Sequence, residues 1–289
     1  MTASSTAFDS EQAFSRNVGW LTIDEQRSLA GKRVAIAGLG GVGGSYLLSL
    51  CRIGVGRFNL AEIDNFELGN FNRQAGAMCS TIGRSKLNVL RDMALDINPG
   101  LDVREFPHGV STSNMEEFLA DADIYVDSLD FFAFTARRAV FAACRRLGIP
   151  VISAVPLGMG AAMMCFDPQG MSFEDYFRLE GHDELEQCAR LIVGYAPSHL
   201  HATYLADRSR VDIRRHRVPS TGMACQLCAG MVTTEAVKIL LGRGTVRWAP
   251  KGIQFDAYRG RLAQTWMPWG NANPIQQLRL AVARRILAS

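Results

Sequence analysis

From Thr22 onward two hydrophobic rhythms alternate along the chain. Short β-branched and Ala-rich runs (RVAIAGLG, RFNLAEID, LDVREF, DIYVDSLD, IPVISAV) predict buried strands. Between them, apolar residues recur at helical spacing. Thr22 is placed as the N-cap of the first helix, with Glu25 three positions on. Val42, Tyr46, Leu47, Leu50 and Ile53 mark the second; Leu87, Leu90, Met93 and Ile97 mark the third, closed by Pro99 and Gly100. SNMEEFLAD and FTARRAVFAACRRLG continue the series. Strand and helix alternate with no hairpin signal as far as Val155, which predicts a doubly wound, Rossmann-like α/β fold around a mostly parallel sheet.

The rhythm breaks between Phe166 and Pro219, a segment rich in His, Arg and Gly. TGMACQLCAGMVTTEAVKILLG then predicts a long apolar helix, TVRWA, GIQFDAY and RLAQTW short strands, and NPIQQLRLAVARRIL a closing helix with Asn273 as N-cap and Pro274 first. The expected organisation is an N-terminal arm (1–21), an α/β core (22–167) and a helix-plus-strands extension (168–289) packed on the same domain. The arm is polar and expected to be flexible, except where AFSRNVGW brings in two aromatics.

Composition adds bounds rather than direction. Of 289 residues, 48% are hydrophobic and 20% charged, as in an ordinary globular protein. A net charge of +3 is too small to imply nucleic-acid binding by itself. The first residues lack the basic-then-apolar pattern of a secretory signal. The apolar run Val151 to Phe166 is interrupted by Ser153, Pro156, Gly158 and Gly160 and falls short of the roughly 20 residues that span a bilayer. The expectation is a soluble, cytoplasmic protein with no membrane partner. Seven Cys in apolar surroundings fit reduced thiols better than a disulfide framework.

Candidate chemistry begins where the first strand ends. Gly38, Gly40 and Gly43 form G-x-G-x-x-G between a strand and a helix, where backbone N–H groups and the helix N-terminus can approach a phosphate. Glu62 and Asp64 close the next strand, at the distance where an acid meets ribose hydroxyls. A nucleotide is implied; these residues suit NAD and ATP alike.

Four further features narrow the choice. Gly41 makes the loop GLGGVG, EID leads into NFNRQ (Asn70, Arg73, Gln74), Lys86 opens a helix, and DSLD ends in Asp130. Read in this order, the chain resembles the ThiF/MoeB/HesA family, adenylating enzymes related to ubiquitin-activating enzymes; the likeness covers roughly residues 14–167 well and the remainder weakly. The resemblance implies ATP- and Mg²⁺-dependent transfer of AMP to a carboxylate with release of pyrophosphate. Arg73 and Lys86 would meet the triphosphate, Asp130 would hold Mg²⁺, Glu62 or Asp64 would take the ribose, and Gly38, Gly40, Gly41, Gly43, Asn70 and Gln74 would complete the nucleotide site. Cations are needed there because nucleophile and leaving group are both anionic. FSRN matches the family's N-terminal arm, so Arg16 would reach the site of a second copy in a homodimer. The acceptor implied is the C-terminus of a ubiquitin-like or sulfur-carrier protein, a peptide, or a small-molecule acid.

Some positions depart from the family pattern. Phe131 stands where an Asn often follows the metal-binding Asp, and Glu62 replaces an Asp. Only one C-x-x-C is present, Cys225 and Cys228; Cys188, His182, His199, His201 and His216 are the residues that could complete a site, but small thiols packed in an apolar helix are the favoured reading, so structural zinc is not expected. HDELEQCARL reads as a plain helix with Cys188 on its buried side, and no catalytic Cys is assigned. RSRVDIRRHR (208–217) holds five Arg but no aromatics; it reads as a rim for the acceptor's carboxylate or a defended strand edge, and nucleic acid is not expected. Two other readings stand beside adenylylation: an NAD- or FAD-dependent oxidoreductase, and a non-catalytic subunit of a heterodimeric activating enzyme.

Overall fold

A computed structural model describes residues 8–288. Its frame is one eight-stranded sheet built from β1 (Arg33–Ala37), β2 (Arg57–Ala61), β3 (Asp102–Phe106), β4 (Ile124–Asp127), β5 (Val151–Leu157), β6 (Gly160–Phe166), β7 (Lys251–Asp256) and β8 (Arg261–Trp266), in the order β3-β2-β1-β4-β5-β6-β7-β8. The first five run parallel and the last three antiparallel. Parallel strands need crossover helices, and these cover both faces.

The helices are α1 (Ser10–Ala13), α2 (Ile23–Ala30), α3 (Gly43–Arg52), α4 (Lys86–Ile97), α5 (Met115–Leu119), α6 (Phe134–Leu147), α7 (Phe173–Phe177), α8 (Glu184–Tyr195), α9 (Gly222–Leu241) and α10 (Pro274–Ala288). On one face, Val34, Ile36, Ile124, Val126, Met163 and Cys165 meet the apolar sides of α3, α4 and α9. On the other, Tyr125, Val151, Met164 and Phe166 meet α5 to α8. The caps follow the sequence: Thr22 and Glu25 form a reciprocal box at α2, and Asn273 accepts the Ile275 N–H at α10.

Strand order reverses between β1 and β4, so the loops after β1, β2 and β4 emerge side by side at one edge of the sheet. In doubly wound folds that edge is where ligands bind.

The α/β expectation holds, with three differences in detail. Val151 to Phe166 is a hairpin rather than one interrupted run: β5 and β6 pair antiparallel around Gly158 and Met159, and Gly158 (φ +62°) takes the left-handed conformation the tight turn requires. TVRWA forms no strand; Trp248 contributes a single bridge to Cys165. The segment after Phe166 is more ordered than its composition suggests, holding α7, α8 and three short 3₁₀ turns.

Helix α9 is, by length and composition, apolar enough to cross a bilayer, yet it is packed against α3, β5 and β6. The arm from Phe8 onward is docked rather than loose: Phe14 is buried and the Asn17 amide donates to the Arg52 carbonyl at the end of α3. The flexibility expected of residues 1–7 lies outside the described residues.

Leu50 on α3 is fully enclosed between the sheet and its neighbouring helices. Leu50→Ala is expected to cost about 2–5 kcal/mol, read as a lower urea midpoint with an unchanged slope.

Candidate functional site

The glycine loop is held by close backbone approaches. Gly38 takes φ +85°, and a Cβ there would lie 2.2 Å from the Ser128 carbonyl oxygen. At Gly43 a Cβ would lie 2.0 Å from the Gly38 oxygen and 2.5 Å from Ser128 Oγ. All three distances are far inside contact, so the turn after β1 closes against the loop after β4 only with glycine at these positions. Gly43 opens α3, whose N-terminal N–H groups face this turn.

The acids after β2 divide their work. Glu62 is buried; its Oε2 accepts the Leu39 N–H (2.7 Å) and its Oε1 those of Ile63 and Asp64 (2.8 and 3.0 Å), bracing the glycine loop from the neighbouring strand. Asp64 is more exposed and pairs with the buried Lys86 ammonium at 3.0 Å. The Lys86 N–H also bonds the Asp64 carbonyl, so β2 and the start of α4 are tied together here.

NFNRQ lies against the loop from the other side. A Cβ at Gly41 would stand 3.7 Å from Arg73 Nε and 3.6 Å from Cys225 Sγ, and one at Gly40 would stand 3.6 Å from Gln74 Nε2. The Arg73 guanidinium donates to the Gly69 carbonyl and to Asn72 Oδ1, while Asn72 Nδ2 donates to the Ser220 carbonyl just before α9. Asn70 Oδ1 accepts the Glu67 N–H and shapes the turn that presents Arg73.

Asp130 is exposed, with Oδ1 accepting the Phe132 N–H at 2.9 Å. Its backbone is fixed from beneath by a residue the sequence did not single out. Arg137 on α6 is almost fully buried and pairs with Asp127 (2.9 Å), itself held by Ser153 Oγ (2.8 Å). The same guanidinium donates to the carbonyls of Leu129 (2.7 Å), Asp130 (3.0 Å) and Phe131 (3.1 Å). One signal could have revealed it: Arg137 sits on the apolar stripe of Phe134, Val140, Phe141 and Cys144, where a cation needs a buried partner.

Phe131, in the position where the family often has Asn, joins an aromatic group with Phe132 and Phe134. His216, from the Arg-rich segment, stacks on Phe132 at 4.1 Å. That segment therefore borders the loop bearing Asp130.

Arg16 is the one named residue not brought here in its own chain. It sits in the 3₁₀ turn Ser15–Asn17, beside the C-terminal end of α3, whereas the glycine loop is at the N-terminal end. Ten residues of helix, about 15 Å, separate the two ends.

Cys225 and Cys228 are buried on α9, and burial raises both thiols, with Ser220 and Arg73 drawing Cys225 partly back. Cys188 is buried on α8 and pushed up to about 12 by burial, which favours the thiol over the thiolate. Burial and the nearby His199 lower His201 to about 4, with its Nδ1 3.4 Å from the Gln254 amide nitrogen. Among the described residues no group of three or more His, Cys, Asp or Glu is placed to hold a metal ion.

The fold and this edge define a doubly wound α/β protein whose glycine loop is bordered by the loops that carry an Arg, a Lys and an exposed Asp. Residues 14–274 match the ThiF family, and the chain belongs to it. It is 31% identical over 148 residues to the sulfur carrier protein ThiS adenylyltransferase of Escherichia coli strain K12, covering 51% of this chain and 58% of that one. It is 32% identical over 150 residues to the tRNA threonylcarbamoyladenosine dehydratase of Bacillus subtilis strain 168, covering 52% and 57%. The aligned part thus spans less than two thirds of these curated relatives. Among solved structures, E. coli MccB with MccA-N7isoASN superposes with a TM-score of 0.68 at 19% identity, covering 93% of this chain and 75% of that one. MccB with ATP superposes at 0.64 and 20% identity, covering 87% and 68%.

Gly43→Ala is expected to abolish nucleotide binding by displacing the loop while leaving the far-UV circular dichroism near that of the parent; a thermal-shift titration with ATP and Mg²⁺ checks it. A second expectation concerns pH. His201 is lowered in the fold, so its contribution is fully present above the unfolded value near 6.5 and is lost as pH falls toward 4. Between pH 7 and 5 this amounts to roughly 1–2 kcal/mol. His201→Asn should flatten that part of a urea-melt pH profile.

Proposed function

We propose that the chain is an ATP- and Mg²⁺-dependent adenylyltransferase acting on a carboxylate. The observation that carries this reading is that Gln74 and Arg73 stand beside Gly40 and Gly41, the turn leading to Asp130 closes on Gly38 and Gly43 where no side chain fits, and Lys86 is tied to Asp64 at the end of the neighbouring strand. The residues also fit the groups they would hold. Gln74 Oε1 and Ser128 Oγ are buried with no partner beside the loop, so a ligand there would give them one. Asp130 offers an exposed carboxylate, the hard oxygen donor Mg²⁺ prefers. Mg²⁺ would supply charge neutralisation across the phosphate oxygens.

In this reading the glycine-loop N–H groups and the N-terminus of α3 cradle the phosphates. Asp64 keeps the Lys86 ammonium at the pocket wall and, with Glu62 behind it, borders the ribose. An oxygen of the acceptor carboxylate attacks the α-phosphorus, the bond to pyrophosphate breaks, and an acyl-adenylate remains. Negative charge builds on the departing pyrophosphate, where Arg73 and Lys86 lower its cost. Arg137 takes no part in the chemistry; it holds the Asp130 backbone in place. Arg16, at the far end of α3, would act on the nucleotide of a second copy, which makes the working unit a homodimer. The acceptor is a carrier-protein C-terminus, a peptide or a small acid. The name of the E. coli relative supports the first.

Arg73→Ala, Lys86→Ala and Asp130→Ala should each reduce acceptor-dependent ATP–pyrophosphate exchange by about a hundredfold or more. EDTA should abolish exchange in the parent protein. Mixing Arg16→Ala with Asp130→Ala should restore part of the activity, because one of the two composite sites in a mixed dimer is intact. Unchanged exchange in all three single variants would overturn the reading, and failure to complement would remove the shared site.

A further inference from the structure

The sheet ends at β8, and no strand among the described residues pairs with its outer edge. The opposite edge strand, β3, carries Asp102, Arg104 and Glu105, the usual charged defence against stray pairing. β8 has no such defence between Leu262 and Trp266: no charge and no proline, with Leu262 and Trp266 56% and 65% exposed. Alternation puts Leu262, Gln264 and Trp266 on one face, opposite Phe255, Ile253 and Lys251 of β7. On that same face α9 covers β5 and β6 and Ile253 of β7 packs at the margin of that core, while Leu262 and Trp266 of β8 stand exposed beyond it.

Charge adds a second and independent observation. Residues 239–289 hold eight Lys or Arg and a single acid, Asp256, in a chain whose net charge is only +3. Asp256 is fully buried and already accepts from the Tyr204 hydroxyl and the Arg259 N–H. Lys251, Arg259 and Arg261 are exposed and have no carboxylate partner among the described residues.

We propose that the free edge of β8 docks an extended, acidic segment of the polypeptide whose carboxylate is adenylated, added as a ninth strand. The backbone of such a strand would satisfy the edge groups. Its alternate side chains would set apolar residues on Leu262 and Trp266 and acids near Lys251, Arg259 and Arg261. The identity of the partner rests on the adenylation reading; the docking chemistry does not. A ninth strand would stand five strands from β4, about 24 Å from the strand that leads to Asp130. The docked segment must therefore lie at least about seven residues from the reacting carboxylate.

The test is fluorescence anisotropy on the full chain without nucleotide, using a labelled peptide that alternates Glu with Val and a control that alternates Lys with Val. The Glu peptide should bind and the Lys peptide should not. Lys251→Glu combined with Arg261→Glu should weaken binding by about tenfold. Leu262→Lys should weaken it too, with each variant melting like the parent. Equal binding of both peptides, affinity unmoved by these substitutions, or a patch that takes phosphatidylglycerol vesicles or total tRNA in preference to the Glu peptide would overturn the proposal. Pyrophosphate exchange is followed separately in the same samples, so a failure of docking and a failure of adenylation can be told apart.

Discussion

One guanidinium with almost no access to water organises the candidate site. Arg137 neutralises the buried Asp127 and binds three successive carbonyls of the turn that follows β4. A buried ion pair of this kind adds little net stability relative to an apolar pair, but losing one partner strands a charge in the core, which makes the arrangement close to all-or-none. Its effect is geometric. With the turn locked, the Ser128 carbonyl stands against Gly38 and its hydroxyl against Gly43, so the glycine loop has one conformation available to it. Glu62 completes the brace by accepting the Leu39 N–H from the neighbouring strand.

The front and back of the molecule divide the work. The loops after β1, β2 and β4 hold every residue proposed to meet the nucleotide except Arg16. The chain beyond Phe166 supplies the cover and the surface: Ser220, just before α9, accepts from Asn72 of NFNRQ, Cys225 of α9 lies beside Gly41, the Arg-rich segment stacks on Phe132 through His216, and the antiparallel strands widen the sheet to a basic, aromatic edge. The residues proposed to meet the nucleotide sit on the rigid parallel half, while the antiparallel half presents the exposed basic and aromatic groups proposed to choose a partner.

Much of this was legible in advance, and the exceptions have physical causes. GLGGVG, EID, Lys86 and DSLD are local signals at the end of a strand or the start of a helix, NFNRQ lies in the turns between β2 and α4, and their order along the chain implied a shared edge. The hairpin of β5 and β6 was hidden because Gly158 and Met159 interrupt an apolar run that reads equally well as one buried strand. TVRWA has the residues of a strand but is left with a single bridge, since β7 already occupies the place beside β6. Arg137 escaped notice because a sequence shows that a cation lies on an apolar stripe without showing what neutralises it.

By itself, the sequence determined the alternation of strands and helices, the caps at Thr22 and Asn273, and the membership of Gly38, Glu62, Arg73, Lys86 and Asp130 in one set of loops. These follow from spacing over a few residues, where backbone geometry and periodicity leave little freedom. Only the tertiary structure decided that Glu62 braces the loop while Asp64 holds Lys86, that Arg16 lies at the end of α3 opposite the glycine loop, that Cys225 lies beside Gly41, and that β8 ends the sheet undefended. Each of these depends on which residues, distant in sequence, come within a few ångströms, and that is settled by how the two hydrophobic faces of the sheet are filled rather than by any local pattern.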